Sequence, residues 1–353
     1  MKAPLRRILA LLAAVVLVVI LASIFALTVL RGRTPGLPGP RSEASLEKIP
    51  LGGVEQWVLI RGRDRDKPVL LFLHGGPGMP AMYLAHAFGR DLERDFVVVH
   101  WDRRGAGKSF DAASDRTGLS VSRTLEDTYE LTRLLRTRFG RDRIYLVGHS
   151  WGSYLGLLAV RGHPEYYLAF VGTGQMAGDR RQVGVLRREF LLRAAAETGD
   201  PMLRARAAAP SVEVTEDDLF RYGGEIRAAR SFMPILMTGL RAPEYTLRDI
   251  MNVKKGSDLV GREMKDDVEP RPLDGEIPGL EVPVFFLLGR HDFNTPSQLA
   301  AEYLDRLSAP LKGVVWFERS AHFPFFEEPA RFSAEMLRID GLVRIFRDSP
   351  RPR

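Results

Sequence analysis

Cysteine is absent from all 353 residues, which excludes disulfides and thiolate metal sites and leaves the redox compartment undecided. No stripe of basic residues interleaved with aromatics runs along the chain, so nucleic acid is not an expected partner. No internal repeat is visible. Acidic residues are missing from positions 1–33, which hold Lys2, Arg6, Arg7, Arg31 and Arg33. Five of the net +7 charges therefore belong to that segment, and scattered arginines account for the rest.

Charge of either sign is missing from Ile8 to Leu30. As a helix this run is about 34 Å long, enough to cross a hydrocarbon core. A cleaved signal peptide normally has a shorter apolar region and an A-x-A-like site, and no such site precedes Arg31. The expectation is an uncleaved, single-pass N-terminal transmembrane helix within residues 1–33, with the membrane as partner. Three Lys/Arg precede the span and four follow it within a short distance (Arg31, Arg33, Arg41, Lys48), so the positive-inside rule is silent on orientation. The N-terminus is expected inside and the remaining chain outside the cytoplasm. Residues 34–44 then read as a stiff Pro/Gly linker.

Hydrophobic residues make up 45% of the chain, enough for one large α/β domain with an insertion, or for two domains. Leu46 to Ile60 reads as two short strands joined at Gly52-Gly53. Pro68 to Leu73, Phe96 to Trp101, Ile144 to Val147, Leu168 to Gly172, Val282 to Leu288 and Gly313 to Phe317 are apolar runs of strand length, as expected of strands buried on both faces. Thr124 to Phe139 reads as a helix with Thr124 and Asp127 as its N-cap pair and Gly140 as its stop. Pro329 to Phe346 is a closing amphipathic helix. Strands alternating with helices predict a mostly parallel central sheet with helices on both faces. From 174 to 277 the rhythm gives way to Arg- and Ala-rich helical periodicity, broken by Pro201, Pro210, Pro234 and Pro243. This segment is expected to cap the carboxyl edge of the sheet, where open α/β sheets bind ligands. The division is thus a core in two parts, 45–173 and 278–353, around a helical cap at 174–277.

One turn organises the chemistry. Gly148-His149-Ser150-Trp151-Gly152 fits G-x-S-x-G between a buried strand and an apolar helix, the pattern of a nucleophile elbow. The glycines permit the tight reversal, and the serine hydroxyl stands at a helix N-terminus, where developing negative charge is favoured. A serine hydroxyl needs a base within hydrogen-bond reach, itself oriented by a third group. On this kind of sheet the chain order is Ser, then Asp/Glu, then His. Gly289-Arg-His-Asp292 and Ser320-Ala-His322 each follow a strand after the insertion. Ser150 is therefore the expected nucleophile, His322 the base and then acid, and Asp292 the orienting carboxylate. His86, His100 and His163 read as structural, His291 ranks below His322, and Asp266 and Asp267 lie away from any strand end. The oxyanion needs two preorganised amides. They are expected from Trp151, which follows the nucleophile, and from Gly76 in His74-Gly-Gly-Pro-Gly78, with Gly75 beside it.

Together with Asp102-Arg-Arg-Gly-Ala-Gly-Lys-Ser109 and Glu328-Pro329 after His322, these segments resemble the proline iminopeptidase (prolyl aminopeptidase) family of α/β-hydrolases over about residues 45–347. The resemblance implies an α/β-hydrolase fold with a helical cap, a serine hydrolase without metal or cofactor, and release of an N-terminal residue, typically proline, from small peptides. Two positions depart from the family pattern: His149 stands where the family usually has Gly, and Arg103 where it usually has Gln. Glu225, in Tyr222-Gly-Gly-Glu225, is the candidate cap acid for the substrate's amino group; a solvated helix-start glutamate is its other reading. A carboxylesterase or other acyl hydrolase taking a small ester is the alternative on the same scaffold, discriminated by whether a carboxylate lines the acyl side of the pocket. A catalytically silent interaction module is the reading from another class, and the intact set of loops argues against it. Epoxide hydrolases and dehalogenases place Asp at the elbow, where this chain has Ser150.

Overall fold

The computed structural model describes residues 3–29, 31–111, 118–209, 212–267 and 272–349. Eight strands form one sheet: β1 (Glu43–Leu51), β2 (Val54–Gly62), β3 (Val69–Leu73), β4 (Val97–Asp102), β5 (Ile144–His149), β6 (Tyr167–Thr173), β7 (Val284–Gly289) and β8 (Lys312–Phe317). Their spatial order is β1-β2-β4-β3-β5-β6-β7-β8. β2 runs antiparallel to both β1 and β4, and every pairing from β4 to β8 is parallel. The strands are apolar throughout because both faces are covered. In β3 all five side chains are buried: Val69, Leu71 and Leu73 enter one core cluster, Leu70 and Phe72 the other.

After α1 (Ala3–Val29), the helices divide between these faces. α2 (Ala85–Leu92) and the closing α13 (Pro329–Asp348) bury Phe88, Leu92, Phe332, Met336 and Ile339 on one side, with the short α12 (Pro324–Glu327) beside them. α3 (Val121–Phe139), α4 (Trp151–Gly162) and α11 (Ser297–Arg306) supply Leu131, Leu135, Leu155, Leu299 and Ala300 to the other. α3 starts one turn earlier than the sequence reading placed it. The Ser120 side chain accepts from the Arg123 amide and caps the helix, so Thr124 and Asp127 lie inside it. Asp127 is freed from capping and is wholly buried, paired with Arg104 and Arg123 and accepting from Gln56 at 2.8 Å.

Between β6 and β7 come α5 (Arg180–Thr198), α6 (Pro201–Ala208), α7 (Glu216–Tyr222), α8 (Met233–Gly239), α9 (Leu247–Glu263) and α10 (Leu273–Glu276). Pro201 and Pro234 open helices here rather than breaking them, because the first turn needs no proline N–H. Pro210 lies outside the described residues. The insertion is pinned to the carboxyl end of β4: Lys108 pairs with Asp249 at 2.8 Å and donates to the Glu244 carbonyl at 2.9 Å, and the Tyr245 hydroxyl donates to Asp102.

The N-terminal expectation needs correction. α1 is helical from Ala3 to Val29. Among the described residues no helix is long and apolar enough to cross a membrane. That overturns the transmembrane helix, the membrane partner and the single-pass extracytoplasmic location. Leu30, the last residue of the expected span, lies outside the described residues. Beyond α1, the Gly32 amide donates to the Pro243 carbonyl at 2.9 Å and Arg31 donates to the Leu240 carbonyl at 2.6 Å. Arg61, itself paired with Glu93, donates to Thr34 and to the Pro35 carbonyl.

Candidate active site

β5 ends at His149 and α4 begins at Trp151, so Ser150 alone makes the reversal. Its φ of 52° and ψ of −127° place it in a region that non-glycine residues rarely adopt, at a cost of about 1–3 kcal/mol. Neighbouring bonds hold it there. The Ser150 amide donates to the Thr173 carbonyl at 3.1 Å, and its own carbonyl accepts from the Ser153 amide at 2.8 Å and from the Ser153 hydroxyl. The second glycine of the motif is a packing requirement: a Cβ on Gly152 would lie 2.4 Å from the carbonyl oxygens of Leu73 and His74. Helix and β3 thus touch backbone to backbone, which sets the His74 loop beside the serine.

Asp292 follows β7 and His322 follows β8, and the two meet in the interior. His322 Nδ1 stands 2.9 Å from Asp292 Oδ2, with both side chains sealed from solvent. The other carboxylate oxygen, Oδ1, accepts from the Asn294 and Thr295 amides, each at 2.9 Å. The Thr295 hydroxyl donates to Asp292 Oδ2 at 3.0 Å and lies 3.1 Å from His322 Nδ1. Burial by itself lowers the His322 pKa, but the charges of Asp292 and Glu225 and the Asp292 hydrogen bond raise it to about 9. His149, before the serine, packs its ring 4.7 Å from the His322 ring and bonds through Nε2 to the His322 carbonyl. Burial keeps His149 neutral, well below the usual histidine range.

Glu225 enters from the insertion. Its carbonyl accepts from the His322 amide at 3.0 Å, its Oε1 accepts from Asn294 at 3.1 Å, and its Oε2 has no partner among the described residues. Only 3% of the residue is exposed. Burial pushes its pKa up to about 7, with Asp292 and Glu216 adding to the effect and His322 opposing it. This is a buried carboxylate and not a solvated helix start.

The loop after β3 completes the wall. A Cβ on Gly75 would come within 2.8 Å of the Ser150 Cβ, so only glycine lets the loop pass this close. Arg103, almost fully buried, holds the loop's carbonyls: Nη2 donates to those of His74 at 2.7 Å, Gly75 at 3.1 Å and Pro77 at 2.8 Å. Its guanidinium carbon sits 5.0 Å from the centroid of the Trp151 ring. A cation thus grips the loop from behind and packs on the residue after the serine. Burial brings the Arg103 pKa down to about 9, which still leaves it charged at neutral pH. Replacing Arg103 with Gln keeps one amide donor for three carbonyls; replacing it with Leu keeps none. We expect kcat to fall by on the order of 10²-fold in Arg103→Leu, the scale of losing one oxyanion donor, and by less in Arg103→Gln, with KM changed only a few-fold in both. Steady-state kinetics beside thermal unfolding checks this; loss of stability without the kcat difference would reduce Arg103 to a packing residue.

These groups share one cavity of about 450 Å³, lined by Gly75, Gly76, His149, Ser150, Trp151, Glu225 and His322, with Arg187, Asn294 and Thr295 behind. All six residues expected from the sequence except Asp292 line it directly, and Asp292 reaches it through His322. His291 lies outside this lining and is half-buried, while Asp266 and Asp267 stay in a short 3-10 turn after α9. His86 pairs with Glu244 at 2.8 Å and His163 with Glu165 at 2.9 Å, as structural histidines do. Sequence reasoning missed Thr295, Asn294 and the function of Arg103. Asp292-Phe-Asn-Thr-Pro296 carried a usable signal for the first two: an Asp before Asn-Thr-Pro is the composition of an Asx turn. Among the described residues no group of three or more His, Asp or Glu is placed to hold a metal ion.

Comparison with known proteins agrees with this architecture. The probable aminopeptidase YbaC of Bacillus subtilis is 29% identical over 311 residues, 86% of this chain and 98% of that protein. A probable proline iminopeptidase of Streptomyces coelicolor is 38% identical over 129 residues, a match confined to 36% of this chain and 38% of the relative. The crystal structure of the proline iminopeptidase of Mycobacterium smegmatis superposes with a TM-score of 0.63 at 19% identity, over 86% of this chain and all of that one. The alpha/beta hydrolase family matches residues 70–335. With the parallel sheet and the serine elbow it contains, the chain belongs to the alpha/beta hydrolase family and is a hydrolase.

Proposed function

We propose that the protein is a serine aminopeptidase of the proline iminopeptidase type, using Ser150, His322 and Asp292. The observation that carries this reading is the buried Glu225 carboxylate, whose Oε2 has no hydrogen-bond partner among the described residues, in the cavity that holds Ser150 and His322. A carboxylate desolvated to that degree is costly unless a cation joins it. A protonated α-amino group supplies that cation and fixes the first residue of a peptide in register with the serine.

Ser150 Oγ attacks the carbonyl carbon of that first residue while its proton passes to His322 Nε2. Asp292 holds the Nδ1 proton, fixing the tautomer and stabilising the imidazolium. The tetrahedral oxygen is held by the amides of Trp151 and Gly76. His322 then protonates the leaving nitrogen, the C–N bond breaks, and the acyl-enzyme remains. Water, deprotonated by His322, attacks the ester, and the amino acid leaves as Ser150 recovers its proton. The relatives named as aminopeptidase and proline iminopeptidase support small peptides as the substrate class.

The test uses paired chromogenic substrates: free-amine aminoacyl anilides, the prolyl and alanyl compounds among them, their N-acetylated forms, and a short-chain acyl ester. Cleavage of a free-amine anilide, with its acetylated form at least about 100-fold slower, is expected from the loss of a buried charge pair. Ester cleavage with every anilide untouched would assign the scaffold to an acyl hydrolase.

A further inference from the structure

The substrate cavity does not end at the first residue. A second chamber of about 430 Å³ opens from it between α8 and α9, and each alone falls in the range of small-molecule sites. Met79, Tyr83, Glu216, Phe232 and Ser257 line both, so the two adjoin across a neck that carries one carboxylate. Beyond that neck the chamber adds Leu236, Gly239, Ile250 and Val253, and its rim carries the exposed Lys254–Asp258 ion pair. Apolar walls closed by a charged rim fit an apolar arm whose end approaches water.

The mechanism fixes which part of the substrate points there. On the acyl half the amine is held at Glu225, beside Asn294 and His322, and the carbonyl at Ser150 and Gly76; none of His322, Asn294 and Thr295 lines the second chamber. The side chain is the part of the acyl half left free to point past Gly76 and Met79. We infer that the chamber receives the side chain on the acyl half, and that the enzyme is selective for N-terminal residues with long unbranched apolar side chains over proline. The inference rests on the proposed aminopeptidase reading for its amine contact at Glu225, and on the cavity alone for its apolar arm. A proline ring, tied back to its own nitrogen, offers no extended arm to the chamber.

The test is a homologous series of free-amine anilides (alanyl, norvalyl, norleucyl, 2-aminooctanoyl and prolyl), with a parallel series of butanoyl to decanoyl p-nitrophenyl esters. In the wild type, kcat/KM is expected to rise on the order of threefold per methylene, with prolyl below norleucyl. In Leu236→Trp and, separately, Val253→Trp, the ratio of kcat/KM between the longest and shortest members is expected to fall at least tenfold, because the indole fills the chamber. Leu236 is one-third exposed, so its replacement keeps the fold testable if Val253→Trp is destabilised. A flat or falling chain-length profile in both series overturns the chamber assignment, as does an unchanged ratio in the folded variants. Anilides inert while esters show the length dependence would leave the chamber standing and remove the aminopeptidase reading.

Discussion

Ser150→Ala is expected to lower kcat by on the order of 10⁶-fold, the scale seen when a triad nucleophile is removed, while far-UV dichroism and the unfolding midpoint stay at their wild-type values. The reasoning has two halves. In the proposed mechanism this hydroxyl carries the acyl fragment, so its loss removes both steps of the reaction and not one contact among several. Fold and elbow are held by bonds to the Ser150 main chain, from its amide to the Thr173 carbonyl and from the Ser153 amide and hydroxyl to its carbonyl, and all of them survive in alanine. Alanine at φ of 52° is as strained as serine, so no relief of strain confuses the comparison. Turnover by the variant above about one hundredth of wild type would remove Ser150 from the mechanism.

The second large effect is expected at Glu225. Glu225→Gln keeps shape and the Asn294 contact but removes the charge that would meet the substrate's amine. Loss of one partner from a buried ion pair costs about 2–5 kcal/mol, so kcat/KM for free-amine anilides should fall by between about 30- and several thousand-fold, with the acetylated forms barely affected. The same substitution has a second readout. In the proposed mechanism the base form of His322 is the active one, and its pKa is held up at about 9 by Asp292 and Glu225 together. Activity should therefore grow as pH rises through the alkaline range in the free enzyme, and the acid limb of kcat/KM should move to lower pH when Glu225 is neutralised. A bound substrate amine acts in the same direction, cancelling the Glu225 charge and making His322 a base near neutrality. A limb that stays in place in Glu225→Gln, with selectivity for free amines retained, would separate this carboxylate from both functions.

Much of the site was legible in the chain because its parts are local. A G-x-S-x-G between a buried run and a helix, a His-Gly-Gly after a strand, and Asp and His after two later strands each sit within a few residues of a recognisable strand end. The resemblance to α/β-hydrolases followed from those segments together. Glu225 was legible only as a choice between a substrate contact and a solvated glutamate. Its burial depends on β7 and β8 bringing Asn294 and His322 against a turn that lies about a hundred residues away in the insertion, and no local pattern encodes that. Arg103 was visible only as a departure from a pattern. That it grips three carbonyls of a loop some 26–29 residues earlier in the chain follows from β3 and β4 lying side by side. The transmembrane reading failed for a different reason. An uncharged run establishes apolar length in sequence, but among the described residues no helix is long and apolar enough to cross a membrane.

By itself the sequence determined the parallel sheet, through its apolar runs, and picked out the candidate serine, acid and histidine through their places at strand ends. Tertiary structure alone decided what surrounds them: which carboxylate is stripped of water, which cation holds the loop after β3, and which chamber adjoins the cavity. Short-range sterics and periodicity are written in neighbouring residues, whereas desolvation and enclosure depend on groups distant in sequence that meet only once the chain is folded.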